Sequence, residues 1–221
     1  MTTQKLPGSD AARHGSGDAD LTIMIAAHDA FRRDLVSLAR AASFADLGNP
    51  AKRQSVSNGW EVFKRQLHAH HTGEDTLLWP KLAGRFAQSE SARSVLAAME
   101  EEHARIDPLL AAVDQAFADP GSDGLGDTVG ELATALQGHL AHEERDALPL
   151  IGAALTAAEW RAVGRQLGRA NGLSVGAEFF AWMLDNAPPE RAAAVLGELP
   201  PPLRLVYRAA LKPRYSKVSR W

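Results

Sequence analysis

From Leu21 onward the apolar positions advance in alternating steps of three and four: Leu21, Met24, Phe31, Leu35 and Leu38, with His28 filling the place between. That spacing is the core-facing seam of an amphipathic helix. Asp20 is placed to cap it, and Gly48 marks the loop after it. Asn49-Pro50 supplies the next start, a cap followed by proline in the first turn. The second seam reads Val56, Trp60, Phe63, Leu67, His70, Glu74 and Leu77. Pro80 lacks the backbone donor that a continuing helix needs, so the sequence predicts a stop or bend there. A third helix is predicted from Ser89, with Leu96, Met99, His103, Ile106, Leu110, Val113 and Phe117 on its seam and a kink at Pro108. The turn-forming stretch from Asp119 to Gly124 ends it. A fourth, from about Asp127, carries Val129, Leu132, Leu136, His139, Glu143 and Leu150. Four helices with short connections predict an all-α, up-down-up-down four-helix bundle over residues 20–155.

The flanks read differently. Residues 1–19 are rich in Gly, Ser, Asp and Ala without an apolar period, and are expected to form a disordered arm; His14 lies in it. Residues 156–221 are expected to form a helical C-terminal extension. Thr156 and Glu159 make a capping box, and Asn171-Gly172 is a stop signal. Phe179, Phe180, Trp182, Met183 and Leu184 are too apolar to be left in water, and two proline clusters cut the remainder into short pieces. From Arg204 on there are six Lys or Arg and no acid. The extension is read as folded onto the bundle with a solvated basic end; a docking surface or dimer contact, through which the chain would oligomerise, is the second reading.

Composition narrows the function classes. The 221 residues are 45% hydrophobic and 23% charged, as in ordinary globular proteins. A formal charge of −3 gives no reason to expect nucleic acid or an anionic membrane as partner. No cysteine is present, which excludes disulfides, thiolate zinc sites, iron–sulfur clusters and cysteine nucleophiles. No apolar run approaches a membrane span or a signal peptide, and a cytoplasmic location is expected.

The seams carry the chemistry. His28, His70, Glu74, His103, His139 and Glu143 occupy core-facing places that the pattern would otherwise give to Leu or Met. His70-x-x-x-Glu74 recurs as His139-x-x-x-Glu143, each followed by a second acid, four residues and a proline. Positions i and i+4 lie ~40° apart around a helix and ~6 Å along it, so each imidazole shares a face with its carboxylate. Two ionised carboxylates in such a core cost several kcal/mol unless paired, and no Lys or Arg shares their seams. Metal coordination resolves this, and imidazole with carboxylate suits iron and similar first-row metals. Among other candidates, Asp107, four residues after His103, is the candidate additional ligand. His68 and His71 flank the second seam and are read as facing sideways or outward. His142 is one step off the fourth seam, either behind a ligand or exposed. Asp75 and Glu144 orient ligands or face water.

Six inward ligands on four helices overfill one ion and underfill two octahedral ones. Two carboxylate bridges and a solvent-derived oxide or hydroxide would complete a pair of irons and leave an open position. With two ferric ions and an oxide such a site sums to +2, so its charge stays small.

His28, His70-x-x-x-Glu74, His103 and His139-x-x-x-Glu143 together resemble the hemerythrin family, in its bacterial HHE cation-binding branch. The resemblance covers roughly Asp20 to Leu155. It implies a four-helix bundle around a non-heme di-iron centre that meets hydrogen peroxide, dioxygen or nitric oxide. The oxygen-carrying branch has five histidines, one of them four residues after the third-helix histidine, where this chain has Asp107. Its fourth-helix carboxylate also comes at five residues' spacing rather than four. Reversible oxygen carriage is therefore not the expectation. Members with such a C-terminal extension are associated with peroxide decomposition. The expected function is catalase-like removal of peroxide, within walls that include Met24, Phe31, Trp60, Phe63 and Met99. The alternative is a sensor or reservoir for dioxygen, nitric oxide or iron, and a purely structural metal comes third. Glu100-x-x-His103 occurs once and off the seam, so a ferritin-like site is not supported. Gly172-x-Ser174-x-Gly176 lacks the strand and sheet that a hydrolase nucleophile requires.

Overall fold

The computed structural model describes residues 19–118 and 124–221, and among them every regular element is helical. The predicted arm to residue 18, with His14, and most of the turn after Ala118 lie outside the described residues. Ala19, expected in that arm, is instead buried.

Helix α1 spans Thr22–Phe44 and α2 spans Pro50–Gly73. α2 continues through a π-helical segment, Glu74–Leu78, into α3, Trp79–Arg85. α4 is Glu90–Ala118, and α5, Leu125–His142, continues through a second π segment, Glu143–Ala147, into α6, Leu148–Ala154. Asn49 caps α2 as the sequence suggests, whereas the cap position of α1 is Leu21, one residue after Asp20. The Asp20 carboxylate accepts the Thr22 N–H at 2.7 Å, and Asn49 accepts from Ala51 at 3.0 Å with Pro50 behind it. Short loops send each helix back along its predecessor, α1 packing on α2 and α5, and α4 on α5.

Pro80 and Pro149 neither stop nor visibly break their helices. Each lies six residues after the first residue of a π segment, and so does Pro213 after Tyr207 in a third such segment, Tyr207–Leu211. A proline ring clashes with the carbonyl four residues back and cannot bond it. Widening the preceding turn to i→i+5 bonding, as from Trp79 N–H to Glu74 O, accommodates the ring. The extra residue moves the seam by one. Leu77 and Leu150, expected in the core, are half-buried, while Leu78 and Ile151 are buried in their place. Helix α4 runs unbroken through Pro108.

Two apolar clusters fill the interior. One includes Phe31, Leu35, Phe63, Leu67, Ile106, Leu136 and Leu140; the other includes Met24, Leu78, Trp79, Leu82, Met99, Leu148 and Ile151. On α2, α4 and α5 the histidines and glutamates fall between the two. The interior is thus oil, a polar layer, and oil again.

The C-terminal region shares the first cluster through Trp182, Met183, Val195, Tyr207 and Tyr215. Helix α7, Ala157–Met183, opens with the Thr156–Glu159 capping box and breaks at Gly172, where φ is 73°. It is followed by α8, Pro189–Glu198, α9, Pro201–Val206, and α10, Lys212–Ser216. Trp182 lies 4.8 Å from Phe31, ring to ring, and donates its indole N–H to Asp34 at 2.7 Å. Trp221 lies over Gly59, and Leu167 over Gly73, too close for any Cβ there without a shift.

Candidate metal centre

Each predicted ligand is carried by a helix that the apolar seam turns inward. His28, Glu74, His103, His139 and Glu143 are buried, and the His70 side chain is 8% exposed. Their potential ligand atoms form two groups, in each of which all atoms lie within 4.8 Å of one another: His28, His70, Glu74 and Glu143 in one, His71, His103 and His139 in the other. The carboxylates connect the groups. Glu74 Oε1 is 3.3 Å from His70 Nε2 while its Oε2 is 3.6 Å from His103 Nε2. Glu143 Oε2 is 3.2 Å from His28 Nε2 and 3.8 Å from His139 Nε2. Each glutamate faces one imidazole of either group.

His71 corrects the sequence reading. It was expected to face sideways or outward, yet it is buried and stacks on His103 with ring centroids 3.9 Å apart. From Leu67 on the seam, His70 is three residues away and His71 four; both steps belong to the helical pattern, so the two residues straddle it. Asp107 stands exposed and outside both groups. A fifth imidazole thus joins the layer from the second helix, while Asp107 on the third does not reach it. His68 is exposed, as expected.

Three carboxylates fix imidazole tautomers from behind. Asp75 Oδ1 is 2.8 Å from His103 Nδ1, Glu102 Oε2 is 2.9 Å from His139 Nδ1, and Glu144 Oε1 is 2.9 Å from His28 Nδ1. A carboxylate only accepts, so each Nδ1 carries a proton and donates it, which leaves Nε2 as the nitrogen facing inward. Arg32 bonds Glu144 at 2.7 Å, and His142 bonds the other oxygen of Glu102 at 2.8 Å. Asp75 and Glu144 thus each hold an imidazole, and His142 stands behind Glu102. Glu102 carried no signal in the seams, because it lies one residue before His103 on the half-exposed side of α4.

The inward atoms are not satisfied by the protein. Nε2 of His28, His70 and His71 and both oxygens of Glu74 and Glu143 are buried without a hydrogen-bond partner. A buried polar atom left unpaired costs about 1–3 kcal/mol, more when charged. Burial opposes charge throughout this layer. It pushes His70 down to about 3, reinforced by the neighbouring imidazoles, and drives His71 well below its ordinary value. It also raises Glu74 well above the usual carboxylate range, with Glu143 adding like charge. Burial works against His28 and Glu143 as well, but their mutual attraction prevails, placing His28 at about 9 and Glu143 at about 2. A cation removes these conflicts together, since each of these atoms, once its proton has left, is a lone-pair donor suited to a borderline first-row metal. The donor set fits.

This is a helical-bundle protein whose interior layer of histidine and glutamate can hold a metal cation. The model of the hemerythrin HHE cation-binding domain matches residues 19–151, and the chain belongs to that family. No curated protein and no solved structure matches it. No helix among the described residues is long and apolar enough to cross a membrane.

Proposed function

We propose that His28, His70, Glu74, His103, His139 and Glu143, with His71 as the fifth imidazole, hold two iron ions joined by an oxide or hydroxide. In our reading the pair decomposes hydrogen peroxide in a catalase-like way, turning two H2O2 into two H2O and O2. Bound iron would supply reversible two-electron chemistry. The observation that supports this reading most is the set of orphaned inward atoms on His28, His70, His71, Glu74 and Glu143. Two groups of ligands connected by two carboxylates suit two ions better than one.

The chain's own residues would do the rest. Glu74 and Glu143, each facing both groups of imidazoles, would help hold the irons and offset their positive charge. Asp75, Glu102 and Glu144 hold three imidazole N–H groups so that their lone pairs stay aimed inward. Met24, Met99, Leu78 and Leu148 on one side and Phe31 and Phe63 on the other keep bulk water out. Iron-loaded protein given peroxide should evolve oxygen in half-molar yield; no oxygen and an unchanged spectrum would remove the enzymatic reading.

A second reading, a sensor for dioxygen or nitric oxide, has one contact in its favour. Phe31 lies 5.3 Å from the His70 ring and 4.8 Å from Trp182, so the C-terminal region rests one side chain away from a ligand. That reading predicts ligand-dependent protease sensitivity after Leu155.

A further inference from the structure

Five tryptophans occur in the chain; three have a partner for the indole N–H, Trp221 is partly exposed, and Trp79 is buried without one. Trp60 donates its indole N–H to Asp114 at 2.7 Å, Trp160 to the Asp20 carbonyl at 2.7 Å, and Trp182 to Asp34 at 2.7 Å. Trp79 is 1% exposed, and its Nε1–H has no partner. Leaving such a donor unpaired in a dry interior is costly, and a chain that pairs three other indoles has ready means to avoid it.

The position of Trp79 gives the orphan a meaning. Its backbone N–H closes the π turn on the carbonyl of Glu74, so a metal-binding turn and the indole are one unit. Helical side chains lean toward the N-terminus and cover the turn before their own Cα. For Trp79 that turn is Glu74–Asp75. Its neighbours in the apolar cluster stand one turn from the ligands on every other helix: Met24 four residues before His28, Met99 four before His103, and Ala147 four after Glu143. Two thioethers, a methyl group and one N–H thus belong to the apolar cluster that borders the histidine–glutamate layer. Among them only the indole can donate a hydrogen bond.

We propose that the Trp79 indole N–H recognises the small ligand at the metal pair's open position, donating to the outer atom of a two- or three-atom anion such as hydroperoxide or azide. This rests on the metal-pair reading above. The donor selects for anions with a free terminal lone pair, and the apolar cluster selects against bulk and added charge. Trp79 is a ligand-binding residue in this account and moves no electron.

Azide is the probe. With the iron-loaded protein, azide affinity is measured optically and the azide stretch by infrared spectroscopy, in H2O and in D2O. The wild type should show a stretch that shifts on deuterium exchange, because the exchangeable indole proton is bonded to it. Trp79→Phe, with iron content equal to wild type, should lose that isotope shift and bind azide about tenfold more weakly, a factor worth ~1.4 kcal/mol. Equal affinity and an unchanged isotope shift in Trp79→Phe would overturn the proposal while leaving the metal pair intact. If Trp79→Phe fails to fold, Trp79→Leu takes its place, and a wild-type stretch indifferent to D2O overturns the proposal by itself. A chain that takes up no metal under any loading condition overturns both the proposal and the reading beneath it.

Discussion

The Nε2 atoms of His103 and His139 stand 3.1 Å apart, while the opposite nitrogens of both rings are committed to carboxylates. With both Nδ1 atoms protonated, two lone pairs converge with no proton between them. Neighbouring ligands ~2.1 Å from one ion are about 3 Å apart, which is the separation seen here. A cation held by both nitrogens would keep them at this separation and remove the conflict between the lone pairs.

His71 tests the fifth imidazole. Its Nε2 is an orphan in the same group as His103 and His139, whereas Asp107 is exposed. His71→Ala should lower metal affinity at least tenfold while the bundle stays folded, and Asp107→Ala should match wild type. Titration against a competing chelator, with circular dichroism as the fold check, reads both.

Glu102 tests the orienting carboxylates. It bonds His139 and His142 through its two oxygens, and these bonds hold its own acidity below the usual carboxylate range against a burial effect that works the other way. Glu102→Gln keeps the size but replaces one acceptor oxygen by a donor NH2. Metal affinity should fall about 10- to 100-fold with the ligand count unchanged. Equal affinity in the variant would contradict the orienting role.

Metal uptake should depend on pH in a defined direction. In the metal-free chain His28 holds its proton up to about 9, because Glu143 outweighs burial, and Glu74 stays protonated above the usual carboxylate range. Both groups must lose a proton to bind a cation, so binding releases protons and strengthens as pH rises toward 9. At pH 7 about one proton per chain, that of His28, should appear in weakly buffered solution on metal addition. An affinity flat between pH 6 and 9 would contradict the assignment.

Two glycines should differ in how they hold the C-terminal region. A Cβ at Gly59 would come within 2.5 Å of the Trp221 ring, a rigid body, and one at Gly73 within 2.2 Å of a Leu167 methyl, which can turn away. Gly59→Ala should cost ~1–3 kcal/mol and lower Tm by several degrees. Gly73→Ala should cost less. Thermal unfolding of the two variants side by side decides.

The bundle was legible because steps of three and four mark buried faces, and because acids on those faces are too costly to be accidental. The first helix shows this best: every seam residue from Leu21 to Leu38 is buried, His28 included. The pattern failed where the backbone left the α period. Leu77 and Leu150 were misplaced by one residue because the sequence signal of a π turn is only the proline six residues on. His71 was missed for a related reason, since a seam assigned one residue per step cannot hold two adjacent histidines. Glu102 and Trp79 act through what stands opposite them in space, and no single helix carries that information.

Metal content per chain, read with the optical spectrum of the purified iron-loaded protein, tests the central claim most directly. The account predicts two irons per chain and the near-ultraviolet and visible bands of a bridged diferric pair. One metal ion or none per chain, or zinc bound as readily as iron with no such bands, would contradict it.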